Sequence, residues 1–128
     1  MPGYTTNIET DTLQNGDFRR VLYTAKELQL VLMTLQPGES IGMETHEHGD
    51  QFFRVEAGEG EAILDGEHHP LSDGIVVVIP AGTEHDIVNT STSEALRVYT
   101  IYTPPEHPDG TVHATKAEAV AHEEAHGH

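Results

Sequence analysis

The sequence predicts an all-β protein, a sandwich or closed barrel, that ends in a short helix. Apolar residues fall in short runs rather than at helical spacing. Turn chemistry separates the runs, at Pro37-Gly38, His48-Gly49-Asp50, Ala57-Gly58, Asp65-Gly66, Ser72-Asp73-Gly74 and Pro80-Ala81-Gly82. The pattern changes beyond Tyr102, where proline and then an Ala- and Glu-rich stretch replace it.

In chain order, residues 1–27 read as an N-terminal arm and edge strand, with Arg20–Thr24 as the strand. Residues 28–102 read as the barrel core. Its strands are Leu28–Leu35, Ser40–His48, Gln51–Glu56, Gly60–Leu64, Ile75–Ile79, His85–Asn89 and Leu96–Tyr102. Asp65-Gly66 is a two-residue hairpin signal. The run Ile75–Ile79 is apolar on both faces, as a buried strand should be. Residues 103–128 read as a Pro-rich loop, a helix and a tail, all within the same domain. The three prolines of TPPEHPDG cannot pair in a sheet. Thr115 and Glu118 form the T-x-x-E pattern of a capping box, which opens a helix over about Lys116–Ala125 that frays into His126-Gly127-His128. The core is expected to include Leu30, Leu32, Phe53, Val55, Ile63, Val77, Ile79, Ile87 and Val98.

With 128 residues the chain has the size of one domain with a real core. It carries no cysteine, which excludes disulfides and zinc–thiolate sites. No apolar run approaches bilayer length, and the start lacks the basic-then-apolar layout of a secretion signal, so a cytoplasmic protein is expected. Twenty-two acidic residues against six Lys and Arg give a net charge of −16, which opposes nucleic acid and anionic membrane as partners. A small-molecule substrate is the expected partner.

The chemistry concentrates in THEHGDQFFRVEAGEG. His46 and His48 are two apart, so on a strand both imidazoles face one way and, with donors from a neighbouring strand, can close on one ion. Glu44 shares their parity, as a candidate proton-transfer base or the partner of an interior Lys or Arg. After the turn, Gln51, Phe53 and Val55 share a face, and Gln51 can return its amide oxygen toward the histidines. His85 begins a distant strand that a barrel brings opposite the first pair. Arg54, Arg97, Tyr99 and Tyr102 are further polar candidates that parity does not place. His107 and His113 lie in the Pro-rich loop, which can fold over one mouth of the barrel. His68 and His69 belong to a polar hairpin, and His122, His126 and His128 to the terminal helix or tail.

Two stretches carry a resemblance. Gly74-x5-Pro80-x-Gly82-x2-His85-x3-Asn89 resembles the second motif of the cupin superfamily at every fixed position. His46-x-His48 followed by Gln51-x6-Gly58 resembles the first. Gln51 stands where the family usually has Glu, only two residues separate it from His48, and Ser40 occupies the place of the leading glycine. The resemblance covers roughly residues 28–102. It implies a small single-domain cupin of the cupin-2 type, an all-β double-stranded β-helix or jelly-roll barrel with a short C-terminal helix. It also implies one divalent metal ion (Zn, Fe, Ni, Mn or Cu) held by His46, His48, Gln51 and His85, and a homodimer that covers exposed edge strands.

Those four ligands are all neutral, so the ion keeps one more unit of positive charge than with three His and one Glu. Open positions suit catalysis. The expected activity is therefore metal-dependent isomerase, epimerase or cyclase chemistry on a polar or enolisable substrate, with Glu44 as the catalytic residue. The alternatives are a three-histidine Fe(II) dioxygenase and a non-catalytic module that binds a small ligand or metal.

Overall fold

In the computed structural model, which describes residues 2–126, the chain folds into two antiparallel sheets around one core. A short helix, α1 (Ile8–Gln14), comes first, followed by β1 (Arg19–Thr24), β2 (Gln29–Leu35), β3 (Asp50–Ala57), β4 (Gly60–Leu64), β5 (Glu67–Leu71), β6 (Val76–Ile79), β7 (His85–Asn89), β8 (Leu96–Thr103), the two-residue β9 (Val112–His113) and α2 (Lys116–His126). The larger sheet has the order β6-β3-β8-β2-β1-β9, the smaller β5-β4-β7. The predicted β-barrel with a C-terminal helix is the architecture found.

Period-2 burial fixes the interior. On β8 Leu96, Val98, Thr100 and Tyr102 point inward, and on β3 Gln51, Phe53 and Val55 do so. Registers place Val98 between Met33 and Val55, and Tyr102 between Gln29 and Gln51. Of the expected core, Leu32, Phe53, Val55, Val77, Ile79, Ile87 and Val98 are buried. Leu30 and Ile63 are only half-buried, because the inward faces belong to Val31, Met33 and Leu35 on β2 and to Gly60 and Ala62 on β4.

The β4–β5 hairpin turns at Asp65-Gly66, where both residues have positive φ (47° and 84°), the conformation a tight hairpin requires. Helix α2 starts as its cap pattern predicts, with the Glu118 amide donating to Thr115 Oγ1 at 3.1 Å. Gly127-His128 of the expected tail lies outside the described residues.

Three elements differ from the sequence reading. The N-terminal arm contains α1, which shows no apolar periodicity; Asn7 caps it, and it packs on the outer faces of β2, β3 and β8. Ser40–His48 is not a strand: only Ser40 and Glu44 bridge to β7, at Val88 and His85, and residues 45–49 bend without a ladder partner. Finally, β9 pairs with β1 inside the stretch read as irregular. No described helix is long and apolar enough to cross a membrane.

Candidate metal centre

The site forms where the bridging segment meets β7. Glu44 and His85 are direct antiparallel partners and exchange both backbone hydrogen bonds at 2.8 Å. Their side chains therefore leave the backbone side by side. His46 follows two residues on, anchored by its carbonyl, which accepts from the Gly82 amide at 2.9 Å. One ligand atom each from Glu44, His46 and His85 lies within 4.8 Å of the others, and the two imidazole rings are 5.3 Å apart.

Second contacts fix the ring orientations. His85 Nδ1 lies 2.9 Å from the Thr83 carbonyl, so that nitrogen carries the proton and Nε2 keeps its lone pair. Burial lowers the His85 pKa, which keeps the ring neutral near pH 7. His46 Nδ1 faces Glu106 Oε2 at 3.3 Å, turning Nε2 inward. That Nε2 is buried without a hydrogen-bond partner among the described residues; Glu44 Oε2, at 3.7 Å, is too far to serve. The hydrogen bond to Glu106 raises the His46 pKa against the effect of burial, and the same contact lowers that of Glu106. Burial raises the Glu44 carboxyl pKa, with His46 opposing it. No Lys or Arg approaches Glu44 within 4.0 Å among the described residues, so the pairing considered for it is absent there.

Gln51 is buried near the start of β3. Its Nε2 donates to Thr100 Oγ1 at 3.0 Å, while Oε1 has no hydrogen-bond partner among the described residues. Its ladder partner Tyr102, whose phenol pKa burial pushes up, sets its ring 5.9 Å from that of His46. Two orphaned buried acceptors, a lone pair on His85 and a carboxylate match what a borderline divalent ion takes. The residues present fit such an ion.

His48 stands apart. It is exposed and lines the outer part of a cavity of about 400 Å³ with His46, Asp50, Tyr102 and Glu106. The parity argument that paired it with His46 requires a strand, and residues 45–49 are a turn. Arg54 pairs with Glu56, Arg97 donates to the Asn15 carbonyl, and Tyr99 packs toward Phe52, all away from this cavity.

The Pro-rich loop forms a cover. Fully buried Gln29 accepts from the amides of Glu106 (3.1 Å) and His107 (3.0 Å) and donates to the His107 carbonyl (2.7 Å). This clamp places Glu106 on His46, and His107 within 3.4 Å of the Tyr102 hydroxyl. Burial, reinforced by Arg19, holds the His107 pKa down at about 3. The sequence reading missed Glu106 and Arg19. Nothing local marks Glu106, whereas Arg19 has the parity of inward-facing Val21 on β1, a signal lost by starting that strand one residue late.

A small β-barrel with imidazoles, an amide and a carboxylate gathered at one mouth defines a class, and the comparisons name it. A family model described as "Cupin domain" matches residues 31–102. The chain belongs to the cupin family. It is 44% identical over 127 residues to YrkC of Bacillus subtilis, an uncharacterised protein, covering 94% of this chain and 68% of that one. The crystal structure of BH2720 from Bacillus halodurans is similar at 44% identity and a TM-score of 0.91, over 94% of this chain and 95% of that one. KdgF from a Halomonas species is similar at 27% identity and a TM-score of 0.64, over 69% and 78%.

Proposed function

We propose that the protein is a metal-dependent enzyme that moves a proton on a small enolisable substrate, in isomerase, epimerase or cyclase chemistry. The observation that carries this reading is the convergence of Glu44, His46 and His85 within 4.8 Å, beside unpartnered buried acceptors on His46 and Gln51. His46, His85 and Gln51 would hold the ion, and His48 would join them only if the 45–49 turn folds inward. When bound, a divalent ion supplies a Lewis acid that polarises a substrate oxygen. Glu44 takes the proton from carbon and returns it; a carboxyl raised by burial is a stronger base than an exposed one. The clamped loop narrows access for water. Edge strand β6, whose Val76 and Val78 are 46% and 61% exposed, supports a homodimer.

Elemental analysis of protein purified without a metal-affinity step tests the site. About one equivalent of metal is expected in the wild type, strongly reduced in His46→Ala and His85→Ala and largely retained in His48→Ala. Unchanged metal in the first two variants sinks the assignment.

One observation favours a second reading. Two histidines and a carboxylate form the ligand set of non-haem Fe(II) oxygenases. Glu44→Gln separates the two: under proton transfer it keeps its metal and loses solvent-deuterium incorporation into substrate, whereas under oxygen chemistry it loses iron.

A further inference from the structure

A second cavity, of about 270 Å³, lies beyond Glu44 between the clamped loop, β9 and α2. Arg19 reaches into it from β1 and is only 3% exposed. Its Nε has no hydrogen-bond partner among the described residues, and none of their carboxylates comes within 4.0 Å of its guanidinium. Its contacts are a long one from Nη1 to His113 Nδ1 at 3.4 Å and the Phe18 ring at 5.4 Å. A buried guanidinium with no hydrogen-bonded anion among the described residues is costly to desolvate, and Glu44 and Glu106, which feel its charge from more than 4.0 Å away, offset that cost only in part. The cavity beside it is the place from which an anion can come.

We propose that this cavity is a carboxylate-binding subsite, in which Arg19 takes the carboxylate of a small organic acid and directs the rest of the molecule toward Glu44. The inference rests on reading the barrel as a small-molecule site and adds the charge of that molecule. A planar guanidinium with a free Nε–H matches a carboxylate edge-on. Charge selects the class. Glu44, Glu106 and Glu123 also line the cavity, so a doubly charged phosphate meets about twice the repulsion that a singly charged carboxylate does, and the smaller charge is the one a single guanidinium can hold. Glu106 is already engaged, its carboxylate bonded to His46. Imidazoles of His107 and His113 at the wall offer further donors.

The full-length protein is titrated with acetate and with pyruvate, and with acetamide and inorganic phosphate as controls, at matched ionic strength. Metal-loaded and chelator-treated samples are compared, and the ring C–H resonances of His113 and His107 are followed by NMR. The carboxylates should shift the His113 ring saturably, and the controls should not. Arg19→Met should weaken this binding by roughly tenfold or more, the worth of one charge-assisted pair. Without carboxylate, R19M should be at least as heat-stable as the wild type, because it removes an unpaired buried charge. Should R19M not fold, Arg19→Lys decides: it keeps the charge, loses the planar fork and should bind carboxylate more weakly. Equal responses to acetamide or phosphate, or undiminished binding in the Arg19 variant that folds, overturns the proposal. Carboxylate binding by a protein that takes up no metal on loading removes the metal reading and leaves the subsite; metal uptake without carboxylate binding in either sample does the reverse.

Discussion

Gln29→Ala isolates the loop that covers the site. The Gln29 side chain is fully buried and satisfies three backbone groups of the loop: the amides of Glu106 and His107 and the carbonyl of His107. Truncation orphans all three while the loop stays docked. At about 1 kcal/mol of net stability per hydrogen bond, docking weakens by ~3 kcal/mol. The penalty is avoided if the loop lifts, so the change should appear as local opening rather than global unfolding. At ~1.4 kcal/mol per factor of ten, the open population rises roughly 100-fold. Native-state hydrogen exchange reads this directly, as faster exchange at the Glu106 and His107 amides and unchanged protection at Met33 and Val98 in the core. Unaltered exchange at residues 106 and 107, or an equal acceleration in the core strands, would refute the reasoning.

Acid should open the same loop. His107 has a pKa near 3 in the folded protein against about 6.5 when unfolded, so between those values the open or unfolded state binds the extra proton. Stability conferred by the neutral, buried ring is complete above about pH 6.5 and falls as pH drops toward 3, by a few kcal/mol at most, since undocking relieves it. Fluorescence or exchange measured against pH should show loop opening before global unfolding, and His107→Phe should flatten that dependence. Gly49→Ala should also disturb the cover: a Cβ there would lie 2.6 Å from the Thr103 carbonyl oxygen and 2.9 Å from Pro104 Cδ, at the root of the loop. We expect a loss of about 1–3 kcal/mol, read as a lower Tm. Gln51→Leu sheds an unpartnered Oε1 but strips the buried Thr100 Oγ1 of its donor, so a loss of about 1–2 kcal/mol is expected; a much larger one on thermal melting would make Gln51 structural.

The barrel was legible because its code is local. Alternation on Gln51–Glu56 and Leu96–Tyr102 and the positive-φ turn at Asp65-Gly66 each follow from neighbouring residues. What escaped depends on distant partners. Helix α1 has weak intrinsic signals and is held by tertiary contacts, including Arg97 to the Asn15 carbonyl and the mutual hydrogen bonds of Asn15 and Thr34. The turn at 45–49 looked like strand because histidines spaced by two mimic strand parity, and strand parity means nothing without a ladder partner. In the site, Glu44, His46 and His85 could be expected to meet, since a barrel brings the two segments opposite each other. Glu106 could not, because its position is set by the side chain of Gln29, far away in sequence.

The distribution of polarity along the barrel separates residues that build the fold from those that await a ligand. Across β2, β8 and β3 the registers align Gln29, Tyr102 and Gln51 in one row, then Val31, Thr100 and Phe53, then Met33, Val98 and Val55. The interior thus passes from amides and a phenol at one mouth to hydrocarbon two rows in. A barrel under pressure only to close would fill the first row with apolar side chains, because buried polar groups cost free energy unless paired. In that row the two glutamines are used differently. Both ends of the Gln29 amide are hydrogen-bonded to the chain. Gln51 uses only its Nε2, and its oxygen joins His46 Nε2 among the unpartnered buried atoms. Stability explains the first glutamine. The second, like Arg19 across the Glu44 boundary, carries a cost that no described residue recovers, and that cost supports the proposal of a ligand at the mouth over a defect of packing.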